Sequence, residues 1–423
     1  MLDIRLLRED SENIKARVKA RGGEAWTLID EILECDEKRR VGETEKQGLQ
    51  SDRNRISKEI GALKREGKDS SEIEAQVRGI GERIKAVGEE VEAVETRQQE
   101  LLLQVPNLPH VDCPAGADED SNPEIRVWGE QPKFEFEPKD HVALGESLGL
   151  FDFELGTRVS GSGFVAFTGQ GAKLERALIQ FLLDLHTEQH GYREVSPPFI
   201  INRDSMFGTG QLPKFEDDMY GLEDGAFFLA PTAEVPVTNL YRDQLLQQGE
   251  LPIKVTAYTP CFRREAGSAG RESRGLIRMH QFDKVELVNI VHPDESAAML
   301  EALTVEAETV LQKLGLHYRT IELCTGDIGF SSAKTYDIEV WAPGHGGYLE
   351  VSSCSNFGDY QARRMRLRFK DEDGKNRFCH TLNGSGTALP RLYVALVESC
   401  QQPDGSLKLP EALVPYFGAE TIA

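Results

Sequence analysis

Residues 28–103 contain no proline, are rich in Glu, Lys, Arg, Gln and Ala, and place apolar side chains at heptad spacing. Ile73, Val77, Ile80, Ile84, Val87, Val91 and Val94 step by four and three without a break, which is the seam of a coiled coil. Leu28, Ile32, Cys35, Leu49, Ile56, Ile60 and Leu63 keep one register in the earlier half, interrupted by Arg39, Gly42, Lys46 and Arg53. Between the halves, Glu66-Gly67-Lys68-Asp69-Ser70-Ser71 supplies a glycine to stop one helix and serines to cap the next. The pattern predicts an antiparallel helical hairpin with arms of about 50 Å, longer than a globular core needs. Residues 53–68 hold Arg53, Arg55, Lys58, Lys64, Arg65 and Lys68 against only Glu59 and Glu66. A phosphate backbone is the natural partner for such a stretch. Solvation of an outer helix face, or an oligomerisation role for the hairpin, describes the same charges.

That local excess stands out because the whole chain is acidic. Its 423 residues carry a formal charge of −22, which argues against a generally sticky nucleic-acid or membrane binder and leaves only local basic patches for a polyanion. The length predicts two domains. Seven cysteines, at 35, 113, 261, 324, 354, 379 and 400, form no CxxC pair, so reduced thiols in a cytoplasmic setting are expected and a structural zinc site is not. No apolar leader stretch follows Met1, and no run of about 18 apolar residues occurs, so a soluble protein without membrane partners is expected. Residues 105–137 are rich in Pro, Asp and Gly, which predicts a linker between a domain over 1–104, with its hairpin at 28–103, and a second domain over 138–423. In that second part, strand-like runs alternate with scattered helices such as 173–189 and 296–314, an α+β pattern around an antiparallel sheet.

The chemistry concentrates in CFRREAGSAGRESRGLIRMHQFDKVE, residues 261–286. If 277–288 is a strand, its period of two puts Arg278, His280, Phe282, Lys284 and Glu286 on one face, and Arg263 and Glu265 share a face at the end of the incoming strand. Guanidiniums suit phosphate oxygens, Phe282 suits a flat base, and Glu286 suits a cationic group. A solvated hairpin face would alternate in the same way. The loop 266–275, with three glycines and two further arginines, has the composition of an anion-gripping segment. Neither GxxxxGK[ST] nor a strand-flanked GxGxxG is present, so side chains must grip any phosphates.

Three further constellations fit that requirement. Pro231-Thr232-Ala233-Glu234 offers a hydroxyl and a carboxylate on one face of an extended segment, although taken alone such a segment is more often a helix start, here capped by Thr232. Glu350-Val351-Ser352-Ser353 ends a strand with oxygen donors for magnesium, although Glu350 and Ser353 point oppositely unless the strand kinks. Asn383-Gly384-Ser385-Gly386 reads as a glycine turn before a helix carrying Arg391.

In combination these segments resemble the class II aminoacyl-tRNA synthetases and, within them, the seryl-tRNA synthetases of bacterial type. HGYREVSPP (190–198) is similar to motif 1, FRRE with GLIRMHQFDKVE to motif 2, and GSGTALPRLYVALVE (384–398) to motif 3. PTAE, EVSSCSN and HTLNGSG in order, with the N-terminal hairpin, carry the resemblance to the serine-specific family over essentially the whole chain. Pro390 stands where many members have a glycine before the arginine, a position compatible with the first turn of a helix.

The resemblance implies a class II antiparallel sheet flanked by helices, serine activation by ATP with Mg2+, and transfer to tRNA(Ser) and also tRNA(Sec). It implies a homodimer and no DNA partner. Arg263, the catalytic position, would bridge the α-phosphate and the serine carboxylate; Glu265 would meet the adenine amino group and Phe282 its ring. Arg391, helped by Arg278, would take the other ring face and the γ-phosphate. Glu350 and Ser353 would hold magnesium, and Arg264, Val351 and Ser352 complete the ATP positions. Thr232, Ala233, Glu234 and Glu286 would line the serine pocket, with Asn383 and Ser385 at the serine hydroxyl. The rival readings are a ligase loading a carrier protein, for which the hairpin has no use, and a non-catalytic paralogue, for which the charged residues have none.

Overall fold

The computed structural model describes residues 1–266 and 275–423, so most of the glycine-rich loop at 266–275 lies outside the described residues. The chain divides into two compact units, Met1–Pro106 and Asn107–Ala423.

The first unit is built on α1 (Leu28–Arg65) and α2 (Ser71–Gln104), packed antiparallel. The heptad residues of α2 are mostly half-buried, as expected for a two-helix seam, with Val87 fully covered. In α1 the buried seam runs through Ile29, Ile32, Cys35 and Ile56, so Ile29 rather than Leu28 faces inward. The interruptions have physical reasons. Arg39 donates to the buried Asp36 at 3.0 Å and to Glu43 at 2.8 Å. Gly42 marks a close approach, because a Cβ there would stand 2.6 Å from Val91 Cγ2. Gly67, at φ +68°, ends the turn, and Asp69 rather than a serine accepts from Ser71 N–H at 3.0 Å. The six basic residues between Arg53 and Lys68 are all exposed. Arg55, Lys64 and Lys68 reach Asp52, Glu74 and Glu66 at 2.7 to 3.0 Å. No helix among the described residues is long and apolar enough to cross a membrane.

The second unit contains, in chain order, β1 (Glu124–Trp128), α3 (Gly169–Asp184), β2 (Arg193–Glu194), α4 (Glu234–Asn239), β3 (Ile253–Phe262), β4 (Gln281–Val291), α5 (Ser296–Leu314), β5 (Tyr318–Glu322), β6 (Lys334–Ala342), β7 (Gly347–Asn356), β8 (His380–Ala388) and α6 (Leu389–Cys400). The strands form one eight-stranded sheet, order β1-β5-β6-β7-β8-β4-β3-β2, antiparallel except where β2 runs parallel to β3. Residues 105–137, read as a linker, thus contribute an edge strand to this sheet. Helices α3, α5 and α6 bury Leu178, Leu303 and Val394 against Val285, Leu287, Ile338 and Val340 on one sheet face. On the other face of β4, Val288 and Ile290 join a smaller core with Val237 of α4. Between these cores, the same face of β4 carries Phe282, Lys284 and Glu286, where burial is made by charged and aromatic groups instead of aliphatic ones.

Two irregularities re-aim side chains toward that face. Ile338 pairs with Ser352 and Glu339 with Glu350, leaving Val351 as the extra residue of a bulge. Val351 and Cys354 therefore point into the core while Glu350 and Ser353 reach the cavity, which resolves the parity conflict in EVSS. In the β4–β8 ladder, Val285 pairs with Thr387 and Glu286 with Ser385, leaving Gly386 unpaired. The NGSG segment is strand, not the glycine turn expected from sequence. Gly384 is there for packing, since a Cβ would meet Leu303 at 3.0 Å and Cys354 Sγ at 3.1 Å.

Candidate active site

A cavity of about 760 Å³ opens on the polar part of the sheet face. Strand β3 ends at Phe262 and β4 begins at Gln281, so the expected strand over 277–288 starts later than its alternation implied. Arg263 and Glu265 lie beyond β3, with Glu265 in the left-handed region at φ 51°, yet both line the cavity. Arg278 also lines it, from outside the strand, and donates to Glu265 Oε2 at 2.9 Å. His280 does not join this face. Its ring stacks on Phe164 at 5.4 Å, with Nδ1 3.0 Å from the Arg263 carbonyl oxygen.

Arg263 is fixed by donation from Nε to the Pro231 carbonyl at 3.2 Å, and its guanidinium carbon stands 5.2 Å from the Phe282 ring centroid. Across the cavity, Arg391 sits in the first turn of α6 directly after Pro390, which the helix accepts because a first-turn residue needs no N–H donor. Its Nη1 donates to the Glu350 carbonyl at 2.9 Å and to Glu350 Oε2 at 3.3 Å. Two guanidiniums, an aromatic face and a half-exposed carboxylate thus surround one end of the space. Arg264 is exposed and outside the lining, and its backbone N–H donates to the Asp218 carbonyl at 2.8 Å.

The other end is enclosed and polar. PTAE is a turn leading into α4 and not an extended segment; Thr232 Oγ1 accepts from Glu234 N–H at 3.3 Å, a cap-like contact, while also facing β4. Ala233 is buried in the small core and does not line the cavity. Thr232 donates to Glu286 Oε2 at 3.3 Å, and Asn383 Nδ2 donates to Glu286 Oε1 at 2.9 Å. Ser385, directly opposite Glu286 in the ladder, presents a buried hydroxyl with no hydrogen-bond partner among the described residues. Ser352 donates to the Ser385 carbonyl. Glu234 accepts from Gln361 Nε2 at 2.6 Å, and Gln361 Oε1 accepts from Thr381 at 2.7 Å, which fixes the amide's orientation. Burial, and then the nearby Glu286, push the Glu234 carboxyl up to about 7.

Two lining or supporting residues escaped the sequence reading. Lys284, whose Nζ donates to Thr232 Oγ1 at 2.7 Å and pairs with Glu286, stood on the charged face without a role. Gln361 had no signal at all, because only tertiary packing brings its helix to Glu234.

A class II aminoacyl-tRNA synthetase core is what this sheet and cavity define, and residues 215–400 match the family described as tRNA synthetase class II core domain (G, H, P, S and T). Residues 1–109 match the seryl-tRNA synthetase N-terminal domain family. The serine–tRNA ligase of Akkermansia muciniphila is 66% identical over 422 residues, covering 100% of this chain and 99% of that one. That of Geobacter sulfurreducens is 53% identical over 422 residues, covering 99% of each. Among solved structures, the seryl-tRNA synthetase of Pyrococcus horikoshii complexed with ATP superposes with a TM-score of 0.95 at 38% identity, covering 100% of this chain and 99% of that one. The chain belongs to the serine–tRNA ligase family, enzymes that join serine to tRNA.

Proposed function

We propose that the cavity binds ATP and L-serine side by side, forms seryl-adenylate, and passes the seryl group to the 3′-terminal adenosine of tRNA(Ser), with tRNA(Sec) as a second acceptor. The observation that carries the serine assignment is the Ser385 hydroxyl, buried and without a partner among the described residues, beside the Glu286–Asn383 pair. A buried polar atom without a partner is uncommon and fits a ligand hydroxyl. Glu286 receives the serine ammonium, Asn383 and Ser385 the serine hydroxyl, and Thr232 and Glu234 complete the walls, with Ala233 setting the backbone of that turn. Alanine would leave the Ser385 hydroxyl unpaired, which is the stronger form of discrimination, and enclosure excludes the extra methyl of threonine.

ATP occupies the other end, consistent with the likeness to the ATP-complexed synthetase. Adenine stacks on Phe282 with its amino group toward Glu265, while Arg391 and Arg278 meet ring and phosphate. Val351 and Ser352 contribute from the flanking strand, while Arg264, exposed and outside the lining, has no part in it. Arg263 stands at this end, bonded to the Pro231 carbonyl next to Thr232 of the serine end, and bridges the serine carboxylate and the α-phosphate. A serine carboxylate oxygen attacks the α-phosphorus in line, the bond to the leaving pyrophosphate breaks, and no protein nucleophile or base is needed. Holding two anions together and neutralising the charge that develops is sufficient catalysis. In the second step a hydroxyl of the terminal adenosine attacks the seryl carbonyl and AMP leaves.

Among the described residues no group of three or more His, Cys, Asp or Glu converges to hold a metal. Glu350 and Ser353 nonetheless fit magnesium, which takes few protein oxygens and completes its shell from phosphates and water. Asp337, paired in register with Ser353, has one buried carboxyl oxygen without a partner among the described residues, and burial and then the nearby Glu350 push its carboxyl well up, a strain that a cation beside it would relieve. Bound there, magnesium would neutralise phosphate charge.

The exposed basic stretch at Arg53, Arg55, Lys58, Lys64, Arg65 and Lys68 grips the long variable arm of the tRNA through phosphate and shape. Two copies pair through the motif 1 region, where β2 is bonded to β3 and forms an edge of the sheet. Seven free cysteines accord with a reducing cytoplasm. ATP–pyrophosphate exchange with each amino acid in turn tests the specificity: serine alone should support exchange, and exchange with a different amino acid but not with serine would refute it.

A further inference from the structure

From the pocket geometry we infer that Lys284 is a positioning residue, a built-in cation that holds Glu286 and the Thr232 hydroxyl in their serine-binding arrangement before serine arrives. The inference rests on the reading of this pocket as the serine site. Lys284 is 8% exposed, between Phe282 and Glu286 on the cavity face of β4. An ammonium has three donors and no acceptor. One donor goes to Thr232 Oγ1 at 2.7 Å and another to Glu286 Oε2. Because Thr232 accepts from Lys284, its own hydrogen is left to donate, and it points to Glu286 Oε2 at 3.3 Å. Asn383 donates to the other oxygen at 2.9 Å. Every described partner of the Glu286 carboxylate is therefore a donor.

The charge balance of the pocket requires such a group. Glu234 and Glu286 are 7% and 1% exposed, and the buried Cys261 thiol is close enough to feel Lys284 and Glu286. Arg263 is the other cation facing these groups, but its guanidinium is turned to the Pro231 carbonyl and the Phe282 ring. Without Lys284, with Glu234 already pushed up by burial, the pocket would take up a further proton, and an arriving serine ammonium would meet a partly neutral acceptor. Lys284 acts through Glu286 and Thr232, not on the reacting phosphorus.

The test is serine and ATP KM, with kcat, in pyrophosphate exchange by Lys284→Met and Lys284→Arg across the neutral pH range. Lys284→Met should raise serine KM about tenfold to a hundredfold, the scale of one charge-assisted hydrogen bond, and leave ATP KM unchanged. Its serine KM should fall more steeply as pH rises than in the unaltered protein, because the extra proton is then lost, and Lys284→Arg should recover part of the loss. An unchanged serine KM in Lys284→Met would overturn the assignment. So would serine and ATP KM rising together without pH dependence, the mark of a merely structural lysine. If Lys284→Met does not fold, Lys284→Gln carries the same comparison, with ATP binding as the check that the cavity is intact. Absence of serine-dependent exchange in the unaltered protein would instead refute the pocket reading itself.

Discussion

Arg83 of the hairpin reaches Glu45 at 2.8 Å with both side chains close to half exposed, whereas Lys284 and Glu286 of the cavity pair with both side chains buried. The first pair stays in water, where Coulomb attraction is weak and the entropy of two long side chains opposes it. The second pair has lost its hydration and survives only because Thr232 and Asn383 supply the remaining hydrogen bonds. The same residue types therefore do different things. Charges on the hairpin remain available to an outside polyanion, while those in the cavity are committed to a small, fixed arrangement that a zwitterion and a nucleotide can complete.

The difference can be broken or sharpened by substitution. Arg263→Ala should reduce serine-dependent exchange by about a hundredfold or more, roughly 2.7 kcal/mol, the scale of one lost transition-state charge contact; near-normal exchange would remove Arg263 from the reaction. Glu234 provides a pH test. Its carboxyl is raised from 4.5 to about 7, so the folded protein holds a proton that the unfolded chain gives up. This contribution to stability is fully present below about pH 4.5 and is lost as pH rises through about 7. Glu234→Gln, which stays neutral, should therefore gain stability relative to the unaltered protein between about pH 5 and 8, on the order of 2 kcal/mol in denaturant titrations without serine. A difference that is flat with pH would show that Glu234 is not held protonated by burial. At the small end, Arg83→Ala should change stability by less than about 1 kcal/mol and leave exchange untouched. A larger loss would mean that the hairpin ion pairs are not solvated as their exposure indicates.

Both architectures were legible from the chain, for different reasons. The hairpin announced itself because a heptad is a property of one helix, and the interruption at Arg39 became explicable only once Asp36 was seen buried beside it. The charged face of β4 was legible from Phe282 to Glu286, where the strand is regular, and failed at His280, which precedes it. Bulges at Val351 and Gly386 were beyond reach because a bulge is defined by the partner strand. Alternation alone thus set Glu350 against Ser353 when both reach the cavity. Gln361 was invisible for a related reason, since its value lies in a contact with Glu234 across 127 positions of chain.

The division of labour between hairpin and cavity is tested most directly by replacing residues 50–85 with a short glycine turn and measuring exchange and tRNA serylation on the same preparation. Leu49 and Ala86 lie nearly opposite each other, since Glu45 pairs with Arg83 and Lys46 faces Gly88, so the shortened helices can still pack. Serine-dependent exchange should stay near its original rate while serylation of tRNA(Ser) is abolished. Equal loss of both activities, or serylation that survives the replacement, would contradict the account.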